Sequence, residues 1–201
     1  MTNSIVATEV IRKVKGFHGH MCPGLALGIR VAEIALREIG PHAEDEEVVA
    51  VVETDMCGVD AIQVLTGCTF GKGNLVCKDY GKKAFSFYRR SDGKRVRIVA
   101  LPRALSAPDP ERDQLVGKFR TGAMTMEEKK RFDELQSLLA EKILHAPLED
   151  LFEIKDPRPR VPAPARIHQS TICQVCGEEV METRIQLVKG KRVCIPCSET
   201  L

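Results

Sequence analysis

Apolar and polar positions along the chain sort into a mixed series of helices and strands. Leu25, Ile29, Ala32, Leu36 and Ile39 recur at i, i+4, i+7, i+11 and i+14, the spacing of one helical face. That stripe predicts a helix over residues 24–39, stopped by Gly40-Pro41. Residues 4–15 predict a shorter helix before it. Glu47–Glu53 is a continuous β-branched run between two glutamates, the pattern of a strand buried on both faces. A short helix over 58–66 follows, then strands near 75–78, 83–90 and 95–101. Ser91-Asp92-Gly93-Lys94 provides the hairpin turn between the last two. A helix over 126–144 opens on the capping box Thr125-x-x-Glu128 and aligns Phe132, Leu135, Leu139 and Ile143. Helices and strands mix without a regular βαβ alternation, so the expected fold class is α+β.

One segment breaks the pattern. Asp156–Arg166 holds four prolines in eleven residues, which forbids a helix and favours an extended spacer. The expected organisation is a core over 1–155, a Pro/Arg linker over 156–166 and a small module over 167–201. Composition adds that the core is aliphatic, because 43% of the 201 residues are hydrophobic and only 4% aromatic. No apolar run approaches the roughly 20 residues of a membrane span. Nor does the N-terminal stretch resemble a signal peptide. The expectation is a soluble, cytoplasmic protein.

The net charge of +2 matters through its location. Residues 1–155 carry 23 basic and 23 acidic side chains, and residues 167–201 carry four of each. The surplus lies in the linker, so neither folded part has the basic footprint of a nucleic-acid binder.

Eight cysteines in a chain without an export signal read as metal ligands before disulfides. Cys173-Gln-Val-Cys176-Gly and Cys194-Ile-Pro-Cys197 are two Cys-x-x-Cys pairs, seventeen residues apart. Four thiolates close the tetrahedral shell of Zn²⁺, so the expected site is structural. Gly177 suits the positive φ of such a knuckle. Glu182–Val193, turning at Lys189-Gly190-Lys191, reads as a hairpin, and the second pair opens a short helix. A treble-clef or ribbon finger results.

Residues 16–24 read Gly-Phe-His-Gly-His-Met-Cys-Pro-Gly and bring His18, His20 and Cys22 within five residues. Cys22 precedes a helix, where the macrodipole favours a thiolate. Cys57 stands in the same relation to the helix at 58–66. Together His18, His20, Cys22 and Cys57 form a candidate His/Cys site for Zn, Fe or Ni. The same side chains suit covalent chemistry, with Cys22 or Cys57 as nucleophile and His18 or His20 as base. His42, His145 and His168 read as ordinary structural or surface residues. The loop Leu65–Leu75 is rich in glycine and contains Lys72. It is no Walker loop, because only three residues separate Gly67 from Gly71 and no Ser or Thr follows Lys72. Lys72 remains a candidate catalytic or anion-binding charge, and Cys68 a possible further thiol.

Three segments taken together resemble the FmdE family of formylmethanofuran dehydrogenase proteins. They are Phe17–Gly24 with Gly28-Ile-Arg30 behind it, Glu53-Thr-Asp-Met-Cys57-Gly-Val-Asp-Ala-Ile-Gln63, and Thr66–Leu75 leading to Asp79-Tyr-Gly-Lys82. The resemblance implies a dimerising α+β core followed by a treble-clef finger. It also implies a cleft lined by His18, His20, Cys22 and Cys57, with Asp60, Gln63 and Lys72 nearby. The family takes its name from a molybdenum or tungsten enzyme of methanogenesis that reduces carbon dioxide to a formyl group. It therefore implies a redox-associated or accessory protein of one-carbon metabolism, or a component of an oxidoreductase. The chain itself has no iron–sulfur cysteine run. The competing expectation is a non-catalytic dimeric scaffold whose finger recruits a protein partner or, less favoured, nucleic acid.

Overall fold

Strand β1 (Val48–Val52) is apolar at every position because it lies inside a sheet with packing on both faces. Val48, Ala50 and Val52 join the main core, while Val49 and Val51 pack with Tyr88 and Val76 on the opposite face. The computed structural model describes residues 8–102, 104, 109–157 and 161–201. It divides into two compact units, 1–164 and 165–201.

In the larger unit α1 (Thr8–His18) and α2 (Pro23–Glu38) precede β1, and α3 (Gly58–Thr66) leads to β2 (Leu75–Cys77). The hairpin β3 (Ala84–Arg89) and β4 (Arg95–Ala100) follows. Helices α4 (Pro110–Thr121), α5 (Met126–His145) and α6 (Leu148–Leu151) then lead to β5 (Phe152–Lys155). The five strands are ordered β2-β1-β3-β4-β5. β1 and β2 run parallel, across the α3 crossover, and the remaining pairs are antiparallel. Phe85, Phe87, Val96 and Ile98 face the same core as Leu25, Ile29 and Ile34 of α2 and Leu139, Ile143 and Leu144 of α5. The architecture is α+β, as expected.

A buried cation ties two of these helices together. Arg30 of α2 donates from Nη1 to Leu144 O at 3.0 Å and from Nη2 to Ala146 O at 2.9 Å. It thereby satisfies carbonyls at the α5 C-terminus that have no helical donor. At the other end of α5 the expected capping box is present: Glu128 N donates to Thr125 Oγ1 and Thr125 N to Glu128 Oε2.

The structure departs from the sequence expectations at the first helix, at α4, at the short α6 and β5, and in the smaller unit at the strand pair Ser170–Ile172 and Glu179–Met181. The first helix runs to His18, past the expected end at 15, and is stopped by Gly19 at φ +94°. Residues 4–7 of that expected helix, and 158–160 of the linker, lie outside the described residues. Helix α4 was not expected, although Asp109 caps it, Pro110 opens it and Gly122 ends it at φ +68°. Its only fully buried side chain is Leu115, so it shows no strong apolar stripe. The four-residue β5 was also missed, being too short to establish a period of two.

In the smaller unit β6 (Ser170–Ile172) pairs with β7 (Glu179–Met181), and β8 (Ile185–Val188) with β9 (Lys191–Cys194), before the short α7 (Ile195–Ser198). Lys189 at φ 49° and Gly190 at φ 77° make the β8–β9 turn, the two positive values of a type I′ hairpin.

Candidate metal sites

The finger places one Cys-x-x-Cys pair in a loop and the other across the end of a strand and the helix that follows it. Cys173 and Cys176 lie in the loop between β6 and β7, where Gly177 at φ +75° reverses the chain. Cys194 ends β9 and Cys197 sits in α7. All four sulfurs lie within 4.8 Å of one another, and Cys176 Sγ is 3.9 Å from Cys194 Sγ. Two ligands of a tetrahedral zinc–thiolate centre are about 3.8 Å apart, given bonds of about 2.3 Å. Backbone amides of Cys176 and Cys194 hold the Cys173 thiol down to about 6. Its neighbour Cys197 moves the other way: the contact with Cys194, then burial, pushes it up to about 12. Four thiols this close are compatible with four thiolates only around a dication. The donor set fits a structural Zn²⁺.

The core group is built by two helix starts and one helix end. Cys22 is the N-cap of α2, and its Sγ accepts from Leu25 N at 3.3 Å. Cys57 is the N-cap residue of α3, without a side-chain cap bond. The two helices touch backbone to backbone. A Cβ on Gly28 would fall 2.2 Å from Gly58 O, so only glycine permits the approach. His18 ends α1 and faces both. Its Nδ1 lies 2.7 Å from Asp60 Oδ2 in the first turn of α3, and its Nε2 lies 4.0 Å from Cys22 Sγ. A carboxylate only accepts, so Nδ1 carries the proton and the Nε2 lone pair faces the thiols.

His18, Cys22 and Cys57 thus bring three ligand atoms within 4.8 Å of one another, each side chain half-buried. Burial pushes the Cys22 thiol above its ordinary value, against the opposing pull of the Leu25 amide. An imidazole and two thiols around one point are a donor set that fits a transition metal and leaves a fourth position open.

Two expected members stand apart. His20 is exposed and falls outside this group; its ring lies tilted against that of His18, with centroids 4.7 Å apart. Gly19 at φ +94° ends α1 between them, and the His20 ring lies on the outer side against His18 rather than among the ligand atoms. Lys72 lies beyond the other end of α3, where its Nζ donates to Ala43 O and Glu44 O at 3.0 and 3.3 Å. It anchors the segment before β1 there. Gln63 likewise serves that loop, accepting from Phe70 N. Cys68 is buried with its Sγ directed at Val48 O. Sequence reasoning did not identify Gly28 and Gly58 as the contact that sets the two thiols side by side. Their only signal was a glycine near the start of each helix, where a glycine is costly without a packing reason.

A family model described as FmdE, molybdenum formylmethanofuran dehydrogenase operon, matches residues 17–153. The prokaryotic dksA/traR C4-type zinc finger model matches residues 169–200. A protein of Archaeoglobus fulgidus described as a probable S-adenosyl-L-methionine-binding protein is 33% identical over 201 residues, covering 95% of this chain and 53% of that protein. The chain therefore spans about half the length of that relative. The crystal structure of a tungsten formylmethanofuran dehydrogenase FmdE-like protein from Syntrophus aciditrophicus matches with a TM-score of 0.61 at 24% identity. That match covers 100% of this chain and 98% of the other, and it is a likeness of fold. The FmdE match contains His18, Cys22, Cys57 and Asp60, and the finger match contains all four zinc-finger cysteines. On these grounds the chain belongs to the FmdE family and carries a C4-type zinc finger at its C-terminal end.

Proposed function

We propose that the core is a mononuclear metal site formed by His18, Cys22 and Cys57, in an accessory or redox-associated protein of one-carbon metabolism. The observation that carries this reading is the convergence of three ligand atoms within 4.8 Å, with Asp60 holding the far nitrogen of the imidazole. A structural site closes its shell with protein ligands, as the finger does with four cysteines. Three ligands at the mouth of two helices leave a position for an exogenous small molecule. When bound, the metal supplies a Lewis acid at that position. The chain's own part is to hold the imidazole in one tautomer, to supply two thiolates, and to fix their spacing through the α2–α3 contact.

The link to one-carbon chemistry rests on family membership, and the site rests on geometry. They are tested separately. Elemental analysis of the anaerobically purified full chain is expected to give two metals per chain, falling to one in His18→Ala/Cys22→Ala. A value of one in both proteins overturns the core site. For the one-carbon role, co-purification of the tagged chain with a formyl-transferring molybdenum or tungsten enzyme supports an accessory function, and its absence from cells that express such an enzyme counts against it.

A further inference from the structure

The two core thiols stand at the starts of two helices in backbone contact. The Gly28–Gly58 contact holds α2 against α3, so the backbones of Cys22 and Cys57 keep their spacing while their side chains can turn. Gly24, two residues after Cys22, lets the start of α2 approach Cys57: a Cβ there would lie 3.2 Å from Met56 Cε and 3.4 Å from Cys57 Cβ. Both side chains are half-buried, so a small oxidant has access. Among the described residues, the other two core cysteines belong to no such group. Cys68 is buried against Val48 O, and Cys77 is exposed at the end of β2.

We propose that Cys22 and Cys57 are an oxidisable dithiol that hydrogen peroxide closes to a disulfide, removing both sulfur ligands from the core metal site. The loss of metal rests on the metal-site reading above; the formation of the bond does not. His18 Nε2, 4.0 Å from Cys22 Sγ, takes the Cys22 proton, while Asp60 holds the imidazolium through Nδ1. The Cys22 thiolate attacks one peroxide oxygen and the O–O bond breaks. Cys22 becomes a sulfenic acid, and the departing hydroxide takes the proton from His18 and leaves as water. The Cys57 sulfur then attacks the Cys22 sulfur and displaces hydroxide, which leaves as a second water with the Cys57 proton. Two thiols lose two electrons and two protons, and one peroxide becomes two waters. Closure brings the sulfurs to about 2.05 Å by turning two side chains that already meet. An external dithiol reverses the bond by exchange. A bound metal engages both thiolates and protects them, so the dithiol reports whether the site is loaded.

The test uses the full chain with Cys68→Ala, because Cys57 and Cys68 share the tryptic peptide 38–72, whereas Cys22 lies on 16–30. Metal-depleted protein is treated with a molar excess of hydrogen peroxide over all its thiols, those of the metal-free finger included, and digested without reductant. The expected product is peptide 16–30 joined to peptide 38–72, about 2 Da below their summed mass and lost on treatment with dithiothreitol. In Cys57→Ser, Cys22 is expected to be trapped by dimedone as the sulfenic acid. Co²⁺ added first is expected to suppress the linkage. Oxidised protein should also lose the sulfur-to-cobalt absorption, taken as the difference from Cys22→Ser. Separate sulfinic acids on Cys22 and Cys57, with no linked peptide, overturn the proposal even where Co²⁺ binds. A linked peptide in a chain that never binds Co²⁺ supports the dithiol and removes the metal reading instead.

Discussion

His18 Nδ1 lies 2.7 Å from Asp60 Oδ2, joining the last residue of α1 to the first turn of α3. The bond fixes the tautomer of His18 and aims its Nε2 at Cys22 and Cys57. It ties together two groups 42 residues apart in sequence. Replacing Asp60 with Asn keeps the size and removes the charge. The variant is expected to fold normally and to bind the core metal about 10–100-fold more weakly, the usual loss when the carboxylate behind a ligating His is removed. Competition against a chromophoric chelator measures it, and unchanged affinity would show that Asp60 does not orient the ligand.

Core metal binding should strengthen as pH rises. Burial raises the Cys22 pKa, so the thiol is protonated near neutrality and must release its proton to the solvent when a metal binds. Each proton released gives up to about tenfold in apparent affinity per pH unit. Affinity measured across neutral pH should therefore climb for the wild type, with a shallower slope for Cys22→Ser. A flat profile would mean that Cys22 is not a ligand.

Gly28→Ala tests the helix contact. Its Cβ would lie 2.2 Å from Gly58 O, inside contact distance of backbone that cannot swing away. Overpacking of this kind costs about 1–3 kcal/mol and can cost more where backbone must shift. The expected result is a lower melting temperature together with loss of core metal, because the same displacement parts Cys22 from Cys57. A variant with full metal content would show that the thiols tolerate separated helices.

Zinc removal should act on the finger. Among the described residues its buried cluster is Cys173, Val193 and Cys194, with Val180, Val188 and Cys197 packed against it. That is too little apolar surface to hold residues 165–201 folded without metal. Cys194→Ser or a strong chelator is expected to abolish the dispersed amide resonances of residues 165–201. Retention of those resonances in chelator would mean that the fold of the finger does not depend on its zinc.

Arg30→Met tests a buried device with no sequence period. The change leaves Leu144 O and Ala146 O without the guanidinium donors they now have. An unsatisfied buried carbonyl costs about 1–3 kcal/mol. Denaturant unfolding should show a loss of that order, with the metal sites unaltered.

What the sequence determined by itself was local. The two Cys-x-x-Cys pairs, the Thr125 capping box, the all-apolar β1 and the Lys189-Gly190 turn each concern residues a few positions apart, and spacing alone tells what they do. The elements it missed had weak local signals: α4 has good caps but one buried side chain, and β5 has four residues. Tertiary structure decided the core site. His18, His20, Cys22 and Cys57 read as one converging set, and packing brings His18, Cys22 and Cys57 together while His20 stays exposed against the His18 ring. Lys72 looked available to the site, but it is held at the far end of α3 by two carbonyls. Asp60 became the partner of His18, and Gly28 the seat of Gly58, only once two helices met. The physical reason is that a bond or a clash between residues far apart in the chain leaves no periodicity in it, and only packing brings the two halves together.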